Sequence, residues 1–186
     1  MVPRSAPGKP APDFAARSVD GIEHSLADYR GGNLLLVFNR HLASRTCHNH
    51  VQTLWRHRDL LAMLDTTVVV VSFESLERVG WYLTDTEIPW PVLSDPHRRM
   101  YHAYGLGRAG VASDWFSPRA ARAATGLVAR MFQGTGERSH SDTHQTGGDF
   151  LIDADGIVRY AYRCRGPIDR PPVDELLLEL RRLPAA

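Results

Sequence analysis

The chain has 186 residues, 43% of them hydrophobic, and a formal net charge of +1. That supplies one domain with a sizeable core, and a near-neutral chain without runs of like charge excludes the electrostatic footprint of a nucleic-acid-binding or polybasic membrane-surface protein. Two cysteines, Cys47 and Cys164, are too few for a disulfide scaffold and suit a reducing compartment where thiols are kept for chemistry.

Residues 1–12, rich in Pro, Ala and Gly, read as an extended lead-in without the apolar core of a leader peptide. No later segment approaches the ~20 apolar residues of a membrane span, so the expectation is a single cytoplasmic domain over residues 1–186. Residues 13–24 predict a hairpin turning at Asp20-Gly21, and residues 25–29 a short helical turn closed by Gly31-Gly32. Residues 34–38 are a near-continuous apolar run, as a strand buried on both faces requires. A polar turn follows, and residues 47–64 predict a helix with Val51, Leu54, Leu60, Leu61 and Leu64 near one face. Residues 66–73 (TTVVVVSF) form the second buried strand, because β-branched side chains suit a pleated sheet. A helix over 74–87 is stopped by the Pro89 and Pro91 pair, with Leu76, Val79, Tyr82 and Leu83 on one face. Residues 92–93 are a short strand and 95–104 a helix. Residues 106–147 form a long insert with one expected helix at 118–132, read as a lid or wall over the Cys47 end of the sheet. Residues 149–153 and 157–164 are two strands turning at Asp155-Gly156, and residues 173–183 a closing amphipathic helix. The fold class is α/β, a central mixed sheet flanked by helices, with an N-terminal hairpin and a long insert before the last β-hairpin.

Cys47 stands at the junction of the first buried strand and its helix. Backbone N–H groups lack intrahelical partners there and the helix dipole is positive, which favours thiolate over thiol. Ser44, Arg40 and Arg45 lie close by and could stabilise charge developing at the sulfur.

Several stretches together resemble the thioredoxin fold and, more closely, the peroxiredoxin-like branch of the alkyl hydroperoxide reductase and thiol-specific antioxidant superfamily. They are GKPAPDF from Gly8, LLLVFNRH before the cysteine, PVLSDP and MYHAYGL in the middle, GGDFLIDADGIVRYAYR, and DRPPVDELLLEL at the end. GGDFLID and DRPPVDELL are similar to bacterial relatives of the peroxiredoxin-like 2 group. The resemblance implies a thiol peroxidase in which Cys47 is the peroxidatic nucleophile and Ser44 replaces the threonine of PxxxTxxC, with Arg40 where that motif has proline. A later strand of peroxiredoxins supplies an arginine to the site. Gly147-Gly148 occupy that place here, so Arg163 or Arg165 is expected to substitute. Ser44-Arg45-Thr46-Cys47 lacks the first thiol of CxxC, and no proline precedes residues 149–153, both of which count against a dithiol reductase. The implied partners are a peroxide and an external thiol reductant, with no cofactor and no nucleic acid, and a homodimer is compatible with this reading. Arg40, His41 and Arg45 are the candidate substrate-binding residues, and Cys164 is the candidate resolving thiol. Strand spacing places Cys164 beyond direct disulfide reach of Cys47 in the resting fold, which favours one-cysteine chemistry.

Two alternatives belong to other classes. His41, Cys47, His48 and His50 could bind zinc or copper, although positions 48 and 50 are expected to point away from residue 47. A redoxin fold recruited as a non-peroxidase enzyme or small-molecule-binding protein would use the aromatic residues Trp81, Trp90, Trp115 and Phe132 as pocket walls.

Overall fold

The computed structural model describes residues 5–42, 44–85, 88, 90–108, 142, 144–166 and 169–183. The expected helix at 118–132 and most of the insert, with Trp115 and Phe132, lie outside the described residues. Seven strands form one mixed sheet in the order β2-β1-β5-β4-β3-β6-β7. The hairpin β1 (Ala15–Ser18) and β2 (Glu23–Ser25) turns at Gly21, whose φ of +83° explains the glycine. A 3-10 turn, Leu26–Tyr29, follows with a reciprocal Ser25 and Asp28 cap.

The central strand β3 (Asn33–Phe38) pairs in parallel with β4 (Thr66–Ser72) and antiparallel with β6 (Gly148–Ile152). Its apolar run is continuous because both sheet faces are covered. Leu34, Leu36 and Phe38 join Phe14, Tyr101, Tyr104 and Phe150 on one face, while Leu35 and Val37 join Val51, Leu54, Leu61 and Leu176 on the other. Both clusters are sealed, and each fully buried Leu or Val contributes on the order of 1.5–3 kcal/mol. β5 (Val92–Ser94) extends the parallel part, and β7 (Val158–Arg163) pairs antiparallel with β6 at the opposite edge. β3, β6 and β7 are consecutive neighbours in the sheet.

The helix expected over 47–64 is two helices, α1 (Arg45–Arg56) and α2 (Arg58–Met63). His57 is the reason for the break. Its ring Nδ1 lies 2.9 Å from the Thr53 carbonyl that its own backbone N–H would take in a continuing helix, and that N–H turns to Leu54 O instead. α3 (Leu76–Asp85) starts two residues later than expected, and Leu76, in its first turn, is 38% exposed while Val79 is buried. α4 (Arg99–Ala103) also starts late, since the Asp95 carboxylate accepts the N–H groups of Arg99, Met100 and Tyr101 from outside the helix. α5 (Val173–Arg181) closes the chain against the α1 face of the sheet. Among the described residues no helix is long and apolar enough to cross a membrane.

Candidate active site

β3 ends at Phe38, which pairs with Val71 near the end of β4, and the loop that follows β3 is pinned from three directions. Asn39 N–H donates to Val71 O at 2.9 Å. The Tyr101 hydroxyl reaches both Asn39 O (2.5 Å) and Val71 O (3.0 Å), and Leu42 N–H donates to Glu74 Oε1 at 3.4 Å. The pinned loop delivers Ser44 to the N-cap of α1, where its hydroxyl oxygen accepts the Cys47 N–H at 3.4 Å. Cys47 therefore occupies the third helical position rather than the first. Its first turn carries no acidic residue to offset the positive helix end. Cys47 is 2% exposed, and its sulfur accepts the backbone N–H of Arg40 at 3.4 Å.

The main counter-charge comes from Arg170, in the loop before α5. Its Nη2 lies 3.1 Å from Cys47 Sγ and 2.8 Å from Phe38 O, and its Nη1 lies 3.1 Å from Asp149 Oδ2. Burial alone would raise the Cys47 pKa. The Arg170 charge, the Ser44 hydroxyl and the two N–H donors outweigh it and hold the thiol below its ordinary value. Arg170 can reach the sulfur because residue 147 is glycine: a Cβ there would stand 2.5 Å from Phe38 O and 3.0 Å from Arg170 Nη2. The position where the family resemblance places an arginine is thus left without a side chain, and the guanidinium arrives from another element.

Asp149 is wholly buried at the start of β6, its second oxygen 3.0 Å from His50 Nε2. Burial pushes this carboxyl up, and the charges of His50 and Arg170 more than reverse the effect, holding it below the usual carboxylate range. His50 corrects an expectation. Position 50 does not point away from residue 47, because i and i+3 share a helix face, and both residues are buried.

The predicted residues divide accordingly. Cys47 and Ser44 are together, and Arg40 contributes its backbone N–H, with its charge also felt at the sulfur. His41 is buried, and desolvation followed by the Arg40 charge lowers its pKa to about 4, so it is neutral near pH 7. Arg45 and Arg165 are exposed. Arg163 corrects a second expectation. It pairs with Gly148, so it projects to the opposite face of the sheet, where its guanidinium lies over the Phe150 ring and donates to Tyr104 O and to Ser5. Cys164 is a free, buried thiol whose N–H donates to Gly147 O at 3.0 Å, and burial pushes its pKa up to about 12. Of the histidines weighed as metal ligands, His48 bonds the Tyr82 hydroxyl at 3.1 Å and His50 bonds Asp149. Among the described residues no three His, Cys, Asp or Glu side chains form a group that could hold a metal ion. Trp81 is 80% exposed, and Trp90 packs edge-on against Trp55 at 5.5 Å.

Sequence reasoning missed Arg170 and Asp149, and considered His50 only as a metal ligand. An acidic residue opening an otherwise apolar strand and a histidine on the apolar stripe of α1 were the available signals.

Ser44→Ala is expected to remove both a helix cap, costing about 1 kcal/mol of stability, and a donor to the sulfur, lowering peroxide reactivity about tenfold. Ser44→Thr should retain both. Stopped-flow oxidation of the two variants checks this, and an unchanged alanine rate would remove Ser44 from the site.

Fold and site define a thioredoxin-fold protein with a single thiol at a helix N-terminus, faced by arginine. The chain belongs to the AhpC/TSA family, whose model matches residues 7–161. It is 31% identical over 105 residues to "Putative peroxiredoxin Rv2521" of Mycobacterium tuberculosis, a match covering 55% of this chain and 65% of that protein. It is 24% identical over 163 residues to the mouse protein named Peroxiredoxin-like 2C, covering 80% of this chain and 69% of that one. The chain thus spans about two thirds of the length of these relatives. Among solved structures, peroxidoxin BcpB from M. tuberculosis superposes with a TM-score of 0.71 at 14% identity, covering 97% of this chain and 99% of that one. A peroxiredoxin-like protein from Aquifex aeolicus gives 0.69 at 17% identity, covering 96% and 88%. Both similarities are of fold.

Proposed function

We propose that the protein is a one-cysteine, thiol-dependent peroxidase with Cys47 as the peroxidatic nucleophile. The observation that carries this reading is the Cys47 sulfur held 3.1 Å from the buried Arg170 guanidinium at a capped helix start. The Cys47 thiolate attacks the terminal oxygen of a hydroperoxide, an S–O bond forms, the O–O bond breaks, and the departing alkoxide or hydroxide takes a proton from water. Arg170, the Arg40 N–H and the Ser44 hydroxyl surround the sulfur, so they can stabilise the charge as it moves from sulfur to the leaving oxygen. The resulting sulfenic acid condenses with an external thiol to a mixed disulfide, releasing water, and a second thiol frees Cys47.

The external thiol is assigned because Cys164 is unsuited to the step. Its raised pKa leaves it as a thiol near pH 7, and a thiol is a poor attacking group. Mass spectrometry after one equivalent of hydrogen peroxide or an alkyl hydroperoxide should find sulfenic acid trapped on Cys47 with Cys164 still reduced. A quantitative intrachain Cys47–Cys164 disulfide would refute the one-cysteine scheme. A Cys47 that neither peroxide oxidises would refute the peroxidase reading itself.

A further inference from the structure

His50, Asp149 and Arg170 join into one buried chain that ends on the Cys47 sulfur, and the proposed peroxide chemistry makes no direct use of His50. The His50 side chain is 5% exposed and sits one helical turn after Cys47, with its Nε2 3.0 Å from Asp149 Oδ1. The Asp149 side chain is fully buried, its Oδ2 is 3.1 Å from Arg170 Nη1, and Arg170 Nη2 is 3.1 Å from Cys47 Sγ. An ionised carboxylate has only acceptors to offer, so Nε2 of His50 carries the hydrogen of this bond.

Arg170 is 123 residues from Cys47 in sequence, and its side chain is long. Its Nη2 is shared between the sulfur and Phe38 O, so the rotation of the guanidinium plane depends on what holds Nη1, and that is Asp149. The terminal torsion of an aspartate is broad and roughly two-fold, so a carboxylate held at one oxygen can still swing. His50 holds the other oxygen. We propose that His50 is a positioning residue for the Cys47 chemistry: by donating to Asp149 it locks the carboxylate that aims the Arg170 guanidinium at the sulfur. The same arrangement, an outer partner orienting the group that meets the reacting atom, is how preorganised sites keep their geometry.

The inference rests on Cys47 as the reacting thiol, but its test reads thiol ionisation rather than turnover, so it can fail while the peroxidase reading stands, and the reverse. The midpoint of Cys47 alkylation against pH is measured in the full chain carrying Cys164→Ser, with and without substitution at His50. His50→Leu should raise the midpoint by about one pH unit, a tenfold loss of thiolate stability, because the charge-assisted bond from Arg170 is no longer held in line. His50→Gln, whose amide N–H can still donate to Asp149, should restore it. A folded leucine variant with an unchanged midpoint overturns the proposal, as do leucine and glutamine variants shifted alike, which would mean packing alone. Should the leucine variant fail to fold, the His50 ring resonances of the otherwise intact protein decide. They should shift as Cys47 passes from thiol to thiolate and not in the Cys47→Ser chain, and resonances that ignore the thiol titration overturn it.

Discussion

Arg170→Leu is expected to raise the Cys47 alkylation midpoint by one to two pH units and to slow peroxide oxidation near pH 7 by at least a factor of ten. The reason is the loss of the nearest full positive charge and of a charge-assisted hydrogen bond of about 1.5–3 kcal/mol, where one pK unit corresponds to about 1.4 kcal/mol. Stability should fall as well, by about 3–5 kcal/mol, because Asp149 is left buried with its arginine removed. The pH dependence gives that loss a signature. In the unaltered protein the Asp149 pKa is held below its ordinary value. The stability it contributes is therefore present above the unfolded value of about 3.9 and is lost as pH falls through the lower folded value. In the variant the carboxyl titrates higher, so the destabilisation is largest at neutral pH and shrinks on acidification, as protonation relieves the stranded charge. Urea unfolding of both proteins at pH 7.5 and pH 4 measures this, and a stability difference independent of pH would show that the Arg170–Asp149 pair is not its source.

Cys47→Ser is expected to abolish peroxide reduction entirely while the chain still folds. A serine hydroxyl is not ionised near pH 7, whatever Arg170 supplies, and cannot form the sulfenic acid on which the second half of the cycle depends. The fold should survive because Arg170 keeps Asp149 and Phe38 O as partners when the sulfur is gone. Peroxide consumption with an excess of an external dithiol, read beside the circular dichroism of the variant, is the check. Turnover that persists in folded Cys47→Ser would move the chemistry to another residue.

The parts legible in the sequence are those fixed by neighbours along the chain. A run such as LLLVF can be covered on both faces only as an interior strand, and the helical periodicity after Cys47 needs one buried stripe, so the strand–turn–helix unit with Cys47 near its junction follows locally, whereas the Ser44 cap and the helix start at Arg45 do not. The hairpins follow too, since Gly21 and Gly156 take positive φ at their turns. His50 and Asp149 were within reach of the same reasoning, as polar residues on faces otherwise apolar. Which arginine meets the sulfur was not. Arg163 is the expected substitute for the arginine that the resemblance places near Gly147-Gly148, but side chains alternate across a sheet, and register with Gly148 rather than Asp149 sends it to the far face. Arg170 precedes a proline pair and looks like a helix lead-in. The family was legible through the resemblance of motifs such as GKPAPDF and GGDFLID, while the described strands and the position of the thiol followed because propensity, turn chemistry and periodicity act over a few residues. Only the tertiary structure decided the counter-ion and the His50–Asp149 pair behind it, because register, packing of α5 and the empty Cβ position at Gly147 bring together groups about a hundred residues apart, and no local rule encodes those distances.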